Sequence, residues 1–332
     1  MLVGERIVMK TKPTIQVITA IAWLALILAP GPARAQFLGH NLTGDFGLMS
    51  ATQPDPGTYL SVLYYGYQGD TLRDRDGNAV AIDPERSGSL DVNGYGLGVW
   101  HVTDRKILGG NFSFMVWPAF TDNKLESPIL GLDQSTSTGF TDLYFQPINL
   151  GWHTDRADYT AGLGVFAPTG RYEADADDNL GLGMWSFELF AGATLYLDQA
   201  RTWHFATTAF YETHNEKKDS DIRVGDILTL EGGLGKSFMD GAVNAGVAYY
   251  AQWKITDDDF GSAGDLLPAG FTTAKNRGFG LGPEINIPLA SKSKLWGFLN
   301  ARYFWESGNR STLEGETFVL TLTLPIPSVP LQ

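Results

Sequence analysis

The chain contains no cysteine in 332 residues, which excludes a disulfide scaffold, a thiolate nucleophile and Cys-ligated metal or iron–sulfur centres. Charged residues are scarce, at 18% of the total against about a quarter in an ordinary soluble domain. Positive charge is scarcer still. Against 37 Asp and Glu stand 24 Lys and Arg, a net charge of -13, which argues against nucleic acid as a partner. Long apolar runs are also missing: beyond residue 35 no stretch approaches 18 consecutive apolar residues, so a spanning helix is excluded there. What remains is rich in glycine (39 residues) and aromatics (12%), too many large rings for a disordered polymer.

The first residues read as an address. Arg6, Lys10 and Lys12 precede an apolar run from Ile15 to Leu28, followed by Ala29-Pro30-Gly31-Pro32 and the small-x-small pattern Ala33-Arg34-Ala35. A basic head, a short apolar stretch and an A-x-A site together predict a secretory signal peptide over 1–35, cleaved after Ala35. Cleavage would leave 36 acids against 20 bases, a net charge of -16. Residues 36–57 then read as a periplasmic lead-in or a short plug, 58–324 as a barrel and 325–332 as a C-terminal tail.

Period-two alternation of Tyr, Phe, Val, Leu, Thr and Gly predicts twelve strands. They are Thr58–Tyr67, Asp91–Val102, Ile107–Phe120, Gly139–His153, Asp158–Pro168, Gly183–Leu197, Trp203–His214, Asp226–Phe238, Ala242–Ile255, Phe279–Leu289, Leu295–Glu306 and Glu314–Leu324. The connections alternate between tight turns and long polar links, the latter at Gln68–Leu90, Thr121–Thr138, Thr169–Leu182, Asn215–Gly225, Thr256–Gly278 and the shorter Ser307–Leu313. A soluble sandwich has no reason to keep its long loops at one end. An up-and-down antiparallel transmembrane β-barrel does, with short periplasmic turns and long extracellular loops.

Tryptophan supports the same all-β class. Trp100, Trp152, Trp203 and Trp296 fall at the short-turn end, and Trp117, Trp185, Trp253 and Trp305 at the long-loop end, as two membrane-interface girdles would require. Trp296 and Trp305, nine residues apart on one strand, span roughly 23 Å of height at a usual tilt, against an apolar band of about 25 Å. Alternation then turns Glu188, Glu231, Gln252, Glu284, Asn300 and Arg302 into the lumen.

Asp142-Leu143-Tyr144-Phe145-Gln146-Pro147-Ile148-Asn149-Leu150-Gly151-Trp152 and Gly164-Val165-Phe166-Ala167-Pro168-Thr169-Gly170-Arg171-Tyr172 resemble an outer-membrane transporter family associated with the meta-pathway of phenol degradation. Asp178 to Gly183, Tyr211-Glu212, Leu230 to Lys236 and Gly280 to Glu284 are similar too, so the resemblance runs from about residue 40 to residue 324. It implies a barrel acting as an uptake channel for small hydrophobic or aromatic solutes, with no agreed catalytic residues.

Glu231, Glu284 and Arg302, with Glu188 nearer the outside, can be read two ways. They form a salt-bridged constriction that selects solutes, or a paired network that fills the lumen and blocks it. Tyr59, Tyr65, Tyr144, Phe166 and Phe210 are candidate lumen aromatics. His101, His153 and His204 read as hydrogen-bonders at the short-turn rim. His214, beside Glu212, stands alone toward the outer leaflet, with no Ser two residues away and no G-x-S-x-G elbow for an esterase. Asp74 to Asn78 fails as a calcium loop, because position one would be Leu72. Asp175, Asp177, Asp178 and Asn179, and Asp257-Asp258-Asp259, are outer-loop acid clusters that either bind bridging cations or remain solvated.

The sequence therefore predicts an outer-membrane channel with no cofactor and no metal. Its partners would be outer-membrane lipids and lipopolysaccharide, small hydrophobic or aromatic solutes, and the barrel-assembly machinery during insertion. A lumen-filled structural or adhesive barrel and an outer-leaflet lipid-modifying enzyme are the alternatives.

Overall fold

The structure is a computed structural model, and it describes residues 38–79, 89–127, 132–174, 176, 178–239, 242–262, 275–291, 294–327 and 329–330. The predicted signal peptide, its cleavage site, Asp175 and Asp177 lie outside the described residues. Twelve antiparallel strands close into a barrel. They are β1 (Gly57–Arg73), β2 (Ser89–Ile107), β3 (Gly110–Trp117, resuming at Ala119–Ser127) and β4 (Gly139–Phe140, resuming at Leu143–His153). Next come β5 (Ala157–Ala167), β6 (Ser186–Tyr196), β7 (Trp203–His214) and β8 (Ile227–Phe238). The last four are β9 (Val243–Lys254), β10 (Arg277–Ser291), β11 (Lys294–Arg310) and β12 (Thr312–Ile326). Each strand pairs with its sequence neighbours, and β1 closes the ring by pairing with both β2 and β12, Tyr64 lying opposite Tyr95 and Leu320. Two short extra strands are added, Leu132–Ser135 against the outer part of β3 and Val329–Pro330 against the start of β11.

Alternation explains the closure. Val62, Leu97, Val99, Phe114, Val116, Phe187, Leu189, Leu234, Val247 and Leu281 are exposed on the outer face. Their neighbours Leu63, Ser113, Ser186, Glu188, Glu231 and Ala248 are buried inside. An apolar outer band over a polar inner face is stable in lipid, and a closed ring leaves no strand edge in hydrocarbon. The short-turn end holds tight hairpins. At Leu108-Gly109 both residues have positive φ, 51° and 83°, the two-residue turn that matches strand twist and favours glycine.

The strands overrun their predicted ends on both sides; at the short-turn end β2 runs past Val102 to Ile107. β1 continues six residues past Tyr67 to Arg73, paired with Thr312 to Glu316 of β12. The predicted link Ser307–Leu313 is for the most part strand, turning at Ser311 with φ 52°. The C-terminal tail is likewise not free: Pro325 and Ile326 belong to β12, and Val329–Pro330 pairs with Lys294 and Leu295.

Two predicted girdle residues face inward. Trp117 shares parity with buried Ser113, and its ring lies over Gly96 and Gly98 of β2, against the Leu63, Tyr65 and Val319 cluster. Trp100 shares the inner face of β2, and its Nε1 donates to Ser113 Oγ at 3.0 Å. The strand parity sends both rings into the lumen. Trp185, Trp203, Trp296 and Trp305 are exposed; Trp152 donates to Leu108 O at the short-turn end, and Trp253 packs edge-on against Phe279.

Candidate functional site

Residues 38–56 precede β1 and lie inside the barrel, bonded to strands around most of its circumference. Three carboxylates receive the segment's backbone and a fourth receives one of its side chains. Glu212 of β7 accepts from the backbone N–H of His40 (2.7 Å) and of Asn41 (3.2 Å). Glu231 of β8 accepts from Gly44 N (3.1 Å) and Phe46 N (2.7 Å), and Glu284 of β10 accepts from Leu48 N (2.8 Å). Glu188 of β6 accepts from the Asn41 side chain at 3.1 Å. Arg302 of β11 donates to the Asp45 carbonyl. Further along, Ser50 accepts from Thr208 at 3.1 Å, Thr52 donates to Asp158 at 3.1 Å, and Gln53 donates to Ser113 at 2.9 Å.

The segment fits because it is small where the wall is close. A methyl at Gly47 would overlap the Glu284 carboxylate, so glycine there is what lets the Leu48 N–H reach its acceptor. Leu48 and Ala51 are buried, and Leu48 packs over Gly233 and Gly235 of β8. Phe46 meets Phe210 with ring centroids 4.8 Å apart, and His40 stacks on Phe166 at 4.8 Å and 14°. A segment with no strand ladder of its own must find partners for its backbone; here two internal turns, Ser50 N to Gly47 O and Thr52 N to Met49 O, and acidic side chains of the wall supply them.

His40 is the densest node. Its Nε2 is 2.8 Å from Asp142 Oδ2 and its Nδ1 is 2.7 Å from Ser186 Oγ, which is itself 2.7 Å from His214 Nδ1. Burial would lower the His40 pKa, but the carboxylates of Asp142 and Glu212 outweigh it and raise it above the usual imidazole value. Asp142, in the break of β4, shows the converse. Burial would raise it, yet His40 and the N–H groups of Leu182 and Gly170 hold it below the ordinary carboxylate range. Asp142, His40 and Ser186 have the composition of a hydrolytic triad. However, Ser186 is fully buried and shared between two imidazoles, so an acyl substrate has no path to its oxygen while the segment is docked.

The structure brings the predicted lumen residues onto the docked segment. Gln252 reaches the Asn41 carbonyl (3.5 Å) and Thr229 (3.0 Å), and Asn300 donates to Glu284 at 2.8 Å. Tyr144 donates to Glu188 at 2.7 Å, while Phe210 and Phe166 hold Phe46 and His40. Tyr65 is buried in the Leu63–Val319 cluster, and Tyr59 bonds the Asp55 carbonyl near the short-turn mouth. His101 bonds Thr58, and His153 pairs with Asp158 at 3.1 Å. His204 departs from the rim reading: it faces inward, wholly buried, with neither ring nitrogen bonded.

His214 does have a serine, on the neighbouring strand, where sequence spacing cannot reveal it. The Asp257 to Asp259 cluster is internally satisfied. Asp258 pairs with Lys254 at 2.7 Å and accepts from Gly225 N, and Asp257 lies 3.6 Å from Lys275. The described part of the other cluster, Asp178, pairs with Arg171 at 3.0 Å.

A cavity of about 40 Å³ beside Phe46, Ala51, Gln53, Trp100 and Phe210 holds no more than a few waters.

Residues 69–322 match the family described as "Putative MetA-pathway of phenol degradation". The chain belongs to that family. Among solved structures it is similar to an outer membrane channel from Pseudomonas putida F1, with a TM-score of 0.67 and 16% identity over 86% of this chain and 100% of that one. It is also similar to the β domain of the Bordetella autotransporter BrkA (TM-score 0.45, 13% identity, 82% and 100% covered). A FadL homologue from Pseudomonas aeruginosa follows at TM-score 0.39 and 10% identity (81% and 90% covered). No curated protein matches. The first of these structures shares the fold, a β-barrel of the outer-membrane type. The family match begins after the docked segment, so the role of His40 to Gln53 rests on this structure's own geometry.

Proposed function

We propose that this barrel is an outer-membrane channel for small hydrophobic or aromatic molecules, closed in the observed state by residues 38–56. One observation carries this reading: the lumen is occupied by a strap fixed through displaceable hydrogen bonds to wall side chains, not by wall residues alone. Phe166 and Phe210, which the strap covers with His40 and Phe46, would become an aromatic-lined path once it moves. Glu188, Glu231, Glu284 and Arg302 would then face the solute and orient its polar substituents. Export by residues 1–35, with cleavage after Ala35, would deliver the chain to the barrel-assembly machinery. Its mature N-terminus, Gln36, is testable by mass spectrometry. Lipopolysaccharide would surround the long-loop end.

The test is passage of phenol, benzoate and salicylate into liposomes carrying the purified barrel. Flux above that of empty liposomes, increased by deleting residues 36–53, supports the channel. A folded barrel that passes no solute with or without the segment overturns it. That second outcome would favour a structural barrel, the reading for which the small residual cavity speaks.

A further inference from the structure

The lumen holds a group of ligand atoms that neither the family nor the channel reading uses. His214 ends β7, Glu212 lies two residues before it on the same inner face, and His40 comes down on both from the docked segment. Glu212 Oε1 lies 3.7 Å from His40 Nδ1 and 3.6 Å from His214 Nδ1. The ligand atoms of the three residues all lie within 4.8 Å of one another. Bonds of about 2.1 Å to a tetrahedral ion place neighbouring ligands roughly 3.4 Å apart, so the trio needs only a small contraction to enclose one. Ser186 Oγ, 2.7 Å from both imidazoles, occupies the side where a fourth ligand, hydroxyl or water, would stand.

We propose that His40, Glu212 and His214 form a binding site for a divalent transition-metal ion of the zinc class, which staples the N-terminal segment to the wall. Two imidazoles and a carboxylate are a donor set that suits zinc better than calcium or magnesium, which take oxygen. The surroundings are those of a built site. The far nitrogen of His40 is held by Asp142, a carboxylate–imidazole arrangement that fixes the ring and raises its basicity as a ligand. Asp142 is in turn held by the backbone of Gly170 and Leu182. Both Glu212 and Asp142 are buried, and two negative charges out of water call for a matching dication. Only one ligand belongs to the segment. Binding therefore adds a tie between residue 40 and β7 to the hydrogen bonds that already hold the segment, and loss of the ion loosens that end without disturbing the ladder.

The test uses the purified mature barrel, chelator-treated and titrated with Co²⁺ and then Zn²⁺, read by visible absorption and by metal content. The expected result is one Co²⁺ per barrel with the intense visible bands of four-coordinate cobalt, bleached by Zn²⁺. Asp142→Asn should weaken binding by about 10–100-fold, and His40→Gln or His214→Gln should abolish the bands, while His101→Gln leaves them unchanged. Heat-modifiable gel migration reports folding. Should a point variant fail to fold, deletion of residues 36–53 removes His40 alone of the ligands and must also abolish the bands. Absence of stoichiometric binding, or bands that survive both His40→Gln and the deletion, overturns the site. The spectrum is independent of transport, so a barrel that binds Co²⁺ but passes no solute contradicts the channel and not the metal site.

Discussion

From β5 to β11 the inner wall meets the N-terminal segment mainly through ionisable side chains, whereas from β12 through β1 to β3 it is filled by its own rings. On the first side Glu212, Glu231, Glu284 and Arg302 bond backbone atoms of residues 40–48. On the second, Trp117 and Tyr67 pack on Leu63, Tyr65 and Val319, all of them members of paired strands. The second closure is part of the ladder and cannot be undone without unfolding it. The first joins the wall to a strap with no strand register of its own. Each bond to a charged partner contributes about 1.5–3 kcal/mol, so the strap can be held firmly and still be released as a unit. A lumen can thus be filled twice, once for stability and once for control.

Several changes break or sharpen that contrast. The largest effect should follow deletion of residues 36–53. Conductance in planar bilayers should rise from occasional openings to a steady level, with the barrel still heat-modifiable. Trp117→Ala, on the other side, removes a ring packed over Gly96 and Gly98. It should cost about 3–5 kcal/mol of stability in denaturant unfolding from lipid, with far less change in conductance. Glu231→Ala leaves the N–H groups of Gly44 and Phe46 without their acceptor. It should raise the open fraction by roughly ten- to a hundredfold, as loss of about 1.5–3 kcal/mol implies, with the unfolding midpoint little moved. Gly47→Ala should act in the same direction but by less, because the Glu284 side chain can turn away.

The smallest effect concerns a loop outside the spanning strands. Lys217 is buried with its Nζ on the Leu182 carbonyl, and burial pushes its pKa from 10.5 down to about 8. A lysine with a lower pKa folded than unfolded penalises the folded loop most fully below pH 8. That penalty fades as pH rises toward 10.5. A spin label at Ser220→Cys should therefore become less mobile between those values, and Lys217→Met should flatten the dependence.

The strands were legible because a wall between lipid and a polar lumen must alternate; Trp203–His214 is found at its predicted bounds. The overrun of β1 and β11 was not, because beyond the membrane polar residues such as Arg73 and Asn309 continue to pair without an apolar face. Facing was harder to read: only the glycines at 96 and 98, on the inner face of the adjacent strand, signal that the large ring of Trp117 folds over them. Glu231, Glu284 and Arg302 were recognisable as lumen residues, but not what they bind. The relevant clue was Gly39, Gly44 and Gly47, spaced through a segment with almost no apolar pattern. His40 was missed because its partners lie 102 to 172 residues away in sequence, and only the register of β6 against β7 brings Ser186 beside His214.

The central claim, that the docked segment closes a usable path, is tested most directly by locking it. The chain has no cysteine, and the hydroxyl oxygens of Ser50 and Thr208 lie 3.1 Å apart, one on the segment and one on β7. In a Ser50→Cys/Thr208→Cys barrel, single-channel recordings with salicylate should be silent when oxidised and recover the parent's openings on reduction. Equal conductance in the two states, with the disulfide shown to be complete, would contradict the account.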